Sequence, residues 1–197
     1  MNKKTLAVLG GLILLCGCAV DRIDPLNIPL NFTPDPRNAA VIGSLQCGAI
    51  GQVQVTDART DKVLGERIHE SKPLKAQVTT DSDVAQWAQT GIQAVMNQNG
   101  IRLGSGPTLA VSLDSLHTLE TVWHRAGYDA RISMVAKVRS AAGKMCWSET
   151  VQGRGGNYGY AGNTLNYQET VNEALANATL SMLQSSAFKD ALCQCAN

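Results

Sequence analysis

Between Tyr128 and Arg139 the chain alternates apolar and polar side chains. Tyr128, Ala130, Ile132, Met134, Ala136 and Val138 fall on one side, with Asp129, Arg131, Ser133, Lys137 and Arg139 on the other. A period of two predicts a strand with one buried face. Ala142-Gly143 reads as a hairpin turn, after which Met145, Trp147 and Val151 continue the apolar face. Upstream, Leu109, Val111 and Leu113 alternate with Ala110 and Ser112, and the alternation slips near Ser115, as a β-bulge causes. An earlier half-buried strand is marked by Val53 and Val55 among Gln52, Gln54 and Thr56. Asp57-Ala-Arg-Thr-Asp-Lys then forms a polar turn, and Lys62 to His69 is a second extended piece.

Two stretches carry helical spacing instead. Val84, Ala88, Gly91, Ile92 and Val95 make one stripe, flanked by Trp87, with Asp81 or Ser82 as cap and Asn99-Gly100 as stop. Val171, Ala174, Leu175, Ala178 and Met182 make another, preceded by Asn166 and Glu169 at capping-box spacing. The resulting order, β-α-β-β-β-α, predicts an α+β domain. Two helices pack on one face of a mainly antiparallel sheet, and the other face is polar and wet.

The chain start follows other rules. Lys3 and Lys4 precede Leu6 to Leu15, an apolar run too short for a membrane-spanning helix and matching a signal-peptide core. Leu15-Cys16-Gly17-Cys18 resembles the lipobox of bacterial lipoproteins. Gly17 supplies the small residue before the cut, and Cys18 becomes the diacylglycerol-bearing first residue. Residues 1–17 are thus read as a lipoprotein signal peptide. Residues 18–40, rich in proline at Pro25, Pro29, Pro34 and Pro36, are read as a lipidated tether, and residues 41–197 as the periplasmic domain. By resemblance to proteobacterial lipoproteins, Ala19 is not the aspartate that retains a protein in the inner membrane, which places this one on the periplasmic face of the outer membrane.

Cleavage takes Lys and Arg from 17 to 15 against 16 acidic residues, a net charge of −1. No basic excess argues for nucleic acid. The mature chain keeps Cys47, Cys146, Cys193 and Cys195 beside Cys18, an even number suited to disulfides in an oxidising compartment. Cys193 and Cys195 are too close to pair with each other, so each takes one of Cys47 and Cys146, in an order left open.

Catalytic signals are thin. His69, His117 and His124 have no metal-pair spacing and no nucleophile elbow beside them. His117 and His124 read as solvated hairpin residues, and Asp114 as an edge-strand charge rather than the acid partner of His117. Cys-Gln-Cys is not a common zinc spacing. The segment Gly153-Arg-Gly-Gly-Asn-Tyr-Gly-Tyr-Ala-Gly-Asn lacks the lysine of a phosphate loop and follows antiparallel strands. It reads as a mobile Gly-rich loop. Its Tyr158 and Tyr160, with Trp123 at a hairpin tip, are candidate contacts for a partner or lipid headgroup. Trp87 and Trp147 read as core. No cofactor and no metal is expected.

Four pieces in order carry a family resemblance: Val55-Thr-Asp-Ala-Arg-Thr-Asp, Met96-Asn-Gln-Asn-Gly-Ile-Arg-Leu, Tyr128-Asp-Ala-Arg-Ile and Glu169-Thr-Val-Asn-Glu-Ala-Leu. Over most of residues 50 to 188 the chain resembles the YajG-type outer-membrane lipoproteins. It departs from them in its four extra cysteines and its Gly-rich stretch. The resemblance implies location and fold rather than an activity. The expectation is an outer-membrane-anchored, non-enzymatic lipoprotein with a binding or scaffolding domain in envelope maintenance. The alternative is an accessory lipoprotein subunit of an envelope assembly or lipid/lipopolysaccharide transport complex, whose element order this chain shares.

Overall fold

A computed structural model describes residues 22–39, 47, 49–122 and 126–195. It contains seven strands, β1 (Leu26–Asn27), β2 (Ala49–Asp57), β3 (Gly65–His69), β4 (Lys75–Thr79), β5 (Arg102–Val122), β6 (Ala126–Arg139) and β7 (Met145–Gly159). Its helices are α1 (Val84–Gln98), α2 (Thr164–Gln184) and α3 (Ser186–Cys195). The fold is α+β, as expected, but the sheet is mixed and the α-helices number three among the described residues. β3–β4, β5–β6 and β6–β7 pair antiparallel, whereas β1–β4, β2–β5 and β3–β5 pair parallel.

β5 organises the sheet. One edge lies along β6 for the whole hairpin. The other is shared by two strands in succession, β2 against Thr108–Leu113 and β3 against Thr118–Val122. The predicted bulge falls between these two partners, where the register shifts at Leu113/Ser115. One extra residue inverts which side chains face inward. Leu109, Val111 and Leu113 are buried before it; Leu116, Thr118 and Glu120 are buried after it.

The β2–β3 connection leaves the sheet beside this bulge. Ala58 N donates to Leu113 O at 3.0 Å and Thr118 N to Leu64 O at 2.7 Å. Between them Asp57 gathers the turn. Its carboxylate accepts Arg59 Nε at 2.8 Å, Arg59 Nη2 at 3.0 Å and Lys62 Nζ at 3.0 Å. This is the first of the four pieces that carry the family resemblance.

The helices cover one face. α1 packs on β2 and α2, while α2 lies along β7 and β6. Asp83, not Asp81 or Ser82, caps α1 by accepting Gln86 N at 3.0 Å. The two expected caps hold the N-terminal segment instead: Ser82 Oγ accepts Leu30 N and Asp81 Oδ2 accepts Asn27 Nδ2, both at 2.9 Å. Gly100, at φ +76°, ends α1 where the Asn99-Gly100 stop predicts. Asn163 caps α2, about one helical turn before the capping-box pair read at Asn166 and Glu169.

The Gly-rich stretch is not a mobile loop over residues 153–159, because it forms the second half of β7. A Cβ on Gly153 would sit 2.0 Å from Ala174 O, and one on Gly155 would sit 2.1 Å from Thr170 O. Thr170, Ala174 and Ala178 share one face of α2, so a strip of small residues rests directly on strand backbone. The glycines are there for approach, not for flexibility.

The segment read as a tether is likewise part of the domain over residues 22–39. Ile28 is 0% exposed and Leu30 6%. Ile28 N donates to Thr79 O, Asn172 Nδ2 to Asn31 O and Asn99 Nδ2 to Asn38 O, each at 2.9 Å. Proline spacing conceals this: Ile28 and Leu30 alternate with Pro29, an edge-strand pattern in which proline loses no ladder bond. Trp87 is buried, its indole N–H donating to Asn172 Oδ1 at 3.0 Å, and Trp147 stacks edge-on to Phe188 at 5.2 Å. The two bridges are Cys47–Cys193 and Cys146–Cys195, with Cα separations of 5.1 and 6.1 Å, and both fasten α3.

Two outcomes are expected. Gly155→Val drives a side chain into the α2 backbone, and thermal or urea unfolding should show a loss of about 1–3 kcal/mol or more, against little change for the outward Gly156→Ala. The hydrogen bonds from Arg59, with that from Lys62, hold the Asp57 carboxyl at about 2, below its usual 3.8. A depressed folded-state value stabilises the protein above the unfolded value, and that contribution disappears as pH falls from about 4 to about 2. Asp57→Asn should flatten stability over that window and cost roughly 1 kcal/mol at neutral pH, allowing for solvent screening.

Candidate functional site

The end of the sheet that carries the β5–β6 hairpin also gathers the β3–β4 turn, the β7–α2 loop and the start of the described chain. His69 pairs with Val122, Gly159 with Ala126, and β1 runs parallel to β4 from its Leu26 end. At the centre of this end sits Glu120, 0% exposed. Its Oε2 accepts Tyr167 OH at 2.8 Å and Arg67 Nε; its Oε1 accepts Gly162 N at 2.6 Å. Arg67 Nη1 continues to Asp24 O at 2.8 Å. Tyr128, edge-on to Tyr167 with ring centroids 4.9 Å apart, donates its hydroxyl to Tyr160 O and accepts Asn163 N at 3.2 Å.

One carboxylate therefore ties together β3, β5, α2, the loop before α2 and, through Arg67, the N-terminal segment. Burial and the adjacent Glu120 carboxylate push the Tyr167 hydroxyl far above its ordinary range, so it remains a donor. Burial raises Tyr128 in the same direction. Desolvation pulls on Arg67, but the hydrogen bond and charge of Glu120 outweigh it and the guanidinium stays charged. With both carboxylate oxygens engaged and no exposure, Glu120 holds Arg67, Tyr167 and Gly162 in position. The sequence signal for it is the inverted phase after the bulge, which turns position 120 inward.

Outside this network the surface becomes aromatic and apolar. Tyr158 is 81% exposed, Tyr160 86% and Leu165, in the first turn of α2, 63%. Tyr158 stands at the end of β7 and Tyr160 begins the loop to α2, both facing solvent at one end of the sheet. Trp123, His124 and Cys18 lie outside the described residues. His117 is an exposed strand residue of β5, not a turn residue. Asp114 Oδ1 accepts Ser112 Oγ at 2.9 Å. Among the described residues no group of three or more His, Cys, Asp or Glu is placed to hold a metal ion, and no helix is long and apolar enough to cross a membrane.

A cleft of about 570 Å³ opens on the helical side, between residues 32–37 and α2. Phe32, Asp35, Asn157, Leu165, Glu169 and Glu173 are among its lining residues. Its two glutamates are engaged: Glu169 accepts Asn157 Nδ2 at 2.6 Å and Glu173 accepts Gly156 N at 2.9 Å.

A family model described as uncharacterized lipoprotein matches residues 40–192. Among solved structures, the chain is similar to a protein of Xanthomonas campestris at 11% identity and a TM-score of 0.49, covering 84% of this chain and 96% of that one. It is also similar to a minor lipoprotein of Acinetobacter baumannii at 11% identity and a TM-score of 0.40, covering 73% and 93%. An uncharacterized protein matches at 12% identity and a TM-score of 0.41, covering 83% and 98%. No curated protein matches the sequence.

Removing the central acceptor should be costly. Glu120→Ala leaves Arg67 and Tyr167 facing a buried void, and denaturant unfolding should show a loss of about 3–5 kcal/mol. Tyr167→Phe, which removes one hydrogen bond, should lose only about 1–2 kcal/mol. Equal effects for the two would contradict the central role given to the carboxylate.

Proposed function

This chain belongs to the family of uncharacterized lipoproteins, and from that premise we propose that it is anchored to the outer membrane through a lipid on Cys18. Its periplasmic domain then serves envelope maintenance as a binding or scaffolding module, without bond-making chemistry. The observation that carries the reading is the position of Cys18. It ends a basic, apolar and small-residue segment and stands four residues ahead of Arg22, where the described chain begins. Each buried acyl methylene is worth about 0.8 kcal/mol, so several acyl chains on one terminus suffice for stable attachment.

The Pro-rich segment alters the expected reach. Because residues 22–39 lie on the domain, only residues 19–21 separate the lipid-bearing residue from that segment. The module works close to the bilayer rather than at the end of a long tether.

The helical-side cleft favours a second reading, an accessory subunit of an envelope assembly or lipid/lipopolysaccharide transport complex. Its volume of about 570 Å³ falls in the range of ligand sites, and Phe32 and Leu165 give it apolar walls.

Cys18→Ala should move the protein from the detergent-extracted to the soluble periplasmic fraction while leaving both disulfides formed. Mass analysis of the native product should show a thioether-linked diacylglycerol on Cys18. An unacylated native terminus would overturn the anchoring. Recovery of one envelope protein by a photocrosslinker at Gln168 would select the second reading over a free-standing module.

A further inference from the structure

The three most exposed large apolar or aromatic side chains among the described residues, Tyr160, Tyr158 and Leu165, all lie toward one end of the molecule, Tyr158 on the sheet face away from α2, Tyr160 in the loop and Leu165 on α2 itself. The lesser cases, Met145 at 43% and Leu103 at 40%, lie at the other end, where β7 and β5 begin. The former end is also where the chain enters the fold. Asp24 O is held by Arg67 Nη1, and the same guanidinium lies against Gly162 in the loop that follows Tyr160. An extended chain spans at most about 3.6 Å per residue, so Cys18 lies within roughly 14 Å of Arg22.

We propose that this end is a bilayer-docking surface, with Tyr158, Tyr160 and Leu165 seated at the headgroup level of the membrane that holds the lipid. The inference rests on the lipidation read at Cys18 and deepens it. A short link holds the surface at high effective concentration beside the bilayer, so weak insertion is enough to fill it. Tyrosine suits that depth because its ring is apolar and its hydroxyl stays in the polar layer. Leu165, exposed in the first turn of α2, supplies a purely apolar contact on the helical side of the same end.

Charge supports the choice of surface. By sequence the charges of this end are Arg22, Lys72 and Arg125, from the link between β5 and β6, against Asp21, Asp24 and Glu70, and Arg22 pairs with Asp24. Docking therefore requires neither an anionic headgroup nor a basic patch. The Glu120 network underneath gives the surface its shape, since Gly162 N and Tyr167 OH are fixed to it, and Tyr128 against Tyr167 holds the Tyr160 carbonyl. Two aromatic side chains stand out from a clamped backbone, which lowers the entropic cost of ordering them at an interface.

The test uses lipidated full-length protein in vesicles of phosphatidylethanolamine with a minor share of phosphatidylglycerol. Trp123→Phe removes the tryptophan between β5 and β6, and the emission of Trp87 and Trp147 is subtracted using that variant alone. On this background Tyr160→Trp places a reporter at the proposed surface, and Met145→Trp places one at the opposite end in a second protein. Seating in the bilayer should blue-shift the reporter at position 160, and lipids brominated near the carbonyl end of their chains should quench most of its emission. The reporter at position 145 should be unchanged by either. The effect should persist when phosphatidylglycerol is omitted. A signal from position 160 insensitive to bromolipid, in protein shown by mass to be acylated and by flotation to be bound, overturns the docking surface and leaves the lipoprotein reading standing. Equal quenching of both reporters overturns it too, because the domain would then have no fixed orientation. Native protein without an acylated Cys18 removes both readings.

Discussion

A single extra residue in β5 governs much of this molecule. Strand side chains alternate with a strict period of two, so one inserted residue between Leu113 and Ser115 turns every later side chain to the other face. Were β5 to run as a regular strand through Asp114 with no bulge, His117 and Leu119 would face the helices, and Glu120 would point to solvent as an ordinary surface charge. With it, a carboxylate enters the closed end of the sheet and must be satisfied there. Arg67, Tyr167 and Gly162 are the answer to that demand. The same irregularity lets one strand edge serve two partners, because β2 finishes beside the bulge and β3 starts just beyond it. The Asp57 turn carries the chain across the gap.

The helical layer obeys a different constraint, contact distance. Alanines and a threonine on α2 meet glycines on β7, so backbone approaches backbone where side chains normally intervene. Gly91 on α1 instead makes room for side chains at the crossing with α2, where a Cβ would lie 2.5 Å from Leu175 Cδ2 and 2.6 Å from Phe32 Cδ2. Lost side-chain volume is recovered as dispersion contact across a closer interface. The N-terminal segment then lies against both helices, with Phe32 packed on Gly91 and Asn172 holding the carbonyl of Asn31.

Regular periodicity is legible in this sequence, and so is the one slip in it near Ser115. The strand through Tyr128–Val138 and the stripe from Val84 to Val95 stand in the residue pattern because each repeats over many positions, and the bulge stands out as a break in such a repeat. β4 escaped because Lys75–Thr79 is short, with three polar residues in five, and one of its partners, β1, lies far away in sequence. β1 is two residues long. Glycine misled the reading of residues 153–159, since composition alone does not distinguish a strand made bare for a helix from a loop made bare for motion. Proline misled it at 25–36 in the same way, being tolerated on an edge as well as in a linker. Glu120 was recoverable in principle. The phase slip near Ser115 was visible, and carrying it five residues further places a charged side chain among inward positions.

Both ends of the molecule are secured by means other than apolar burial, and they differ in kind. At the end where β2, β5 and β7 begin, the Cys47–Cys193 and Cys146–Cys195 bridges bind the last helix to the chain near two strand starts. A ten-residue helix has little area with which to hold itself, and cross-links compensate by restricting the unfolded chain. At the opposite end the sheet closes over a buried ion pair and its hydroxyl partners. Disulfides form and persist chiefly in oxidising compartments. A buried ion pair makes no such demand on redox conditions. What it requires is the inward turn of Glu120 and the steady position of Arg67, and Arg67 is the residue that also grips Asp24. The start of the described chain and the polar core of that end are therefore one mechanical unit, in which Asp24 is tied through Arg67 to β3 and β5.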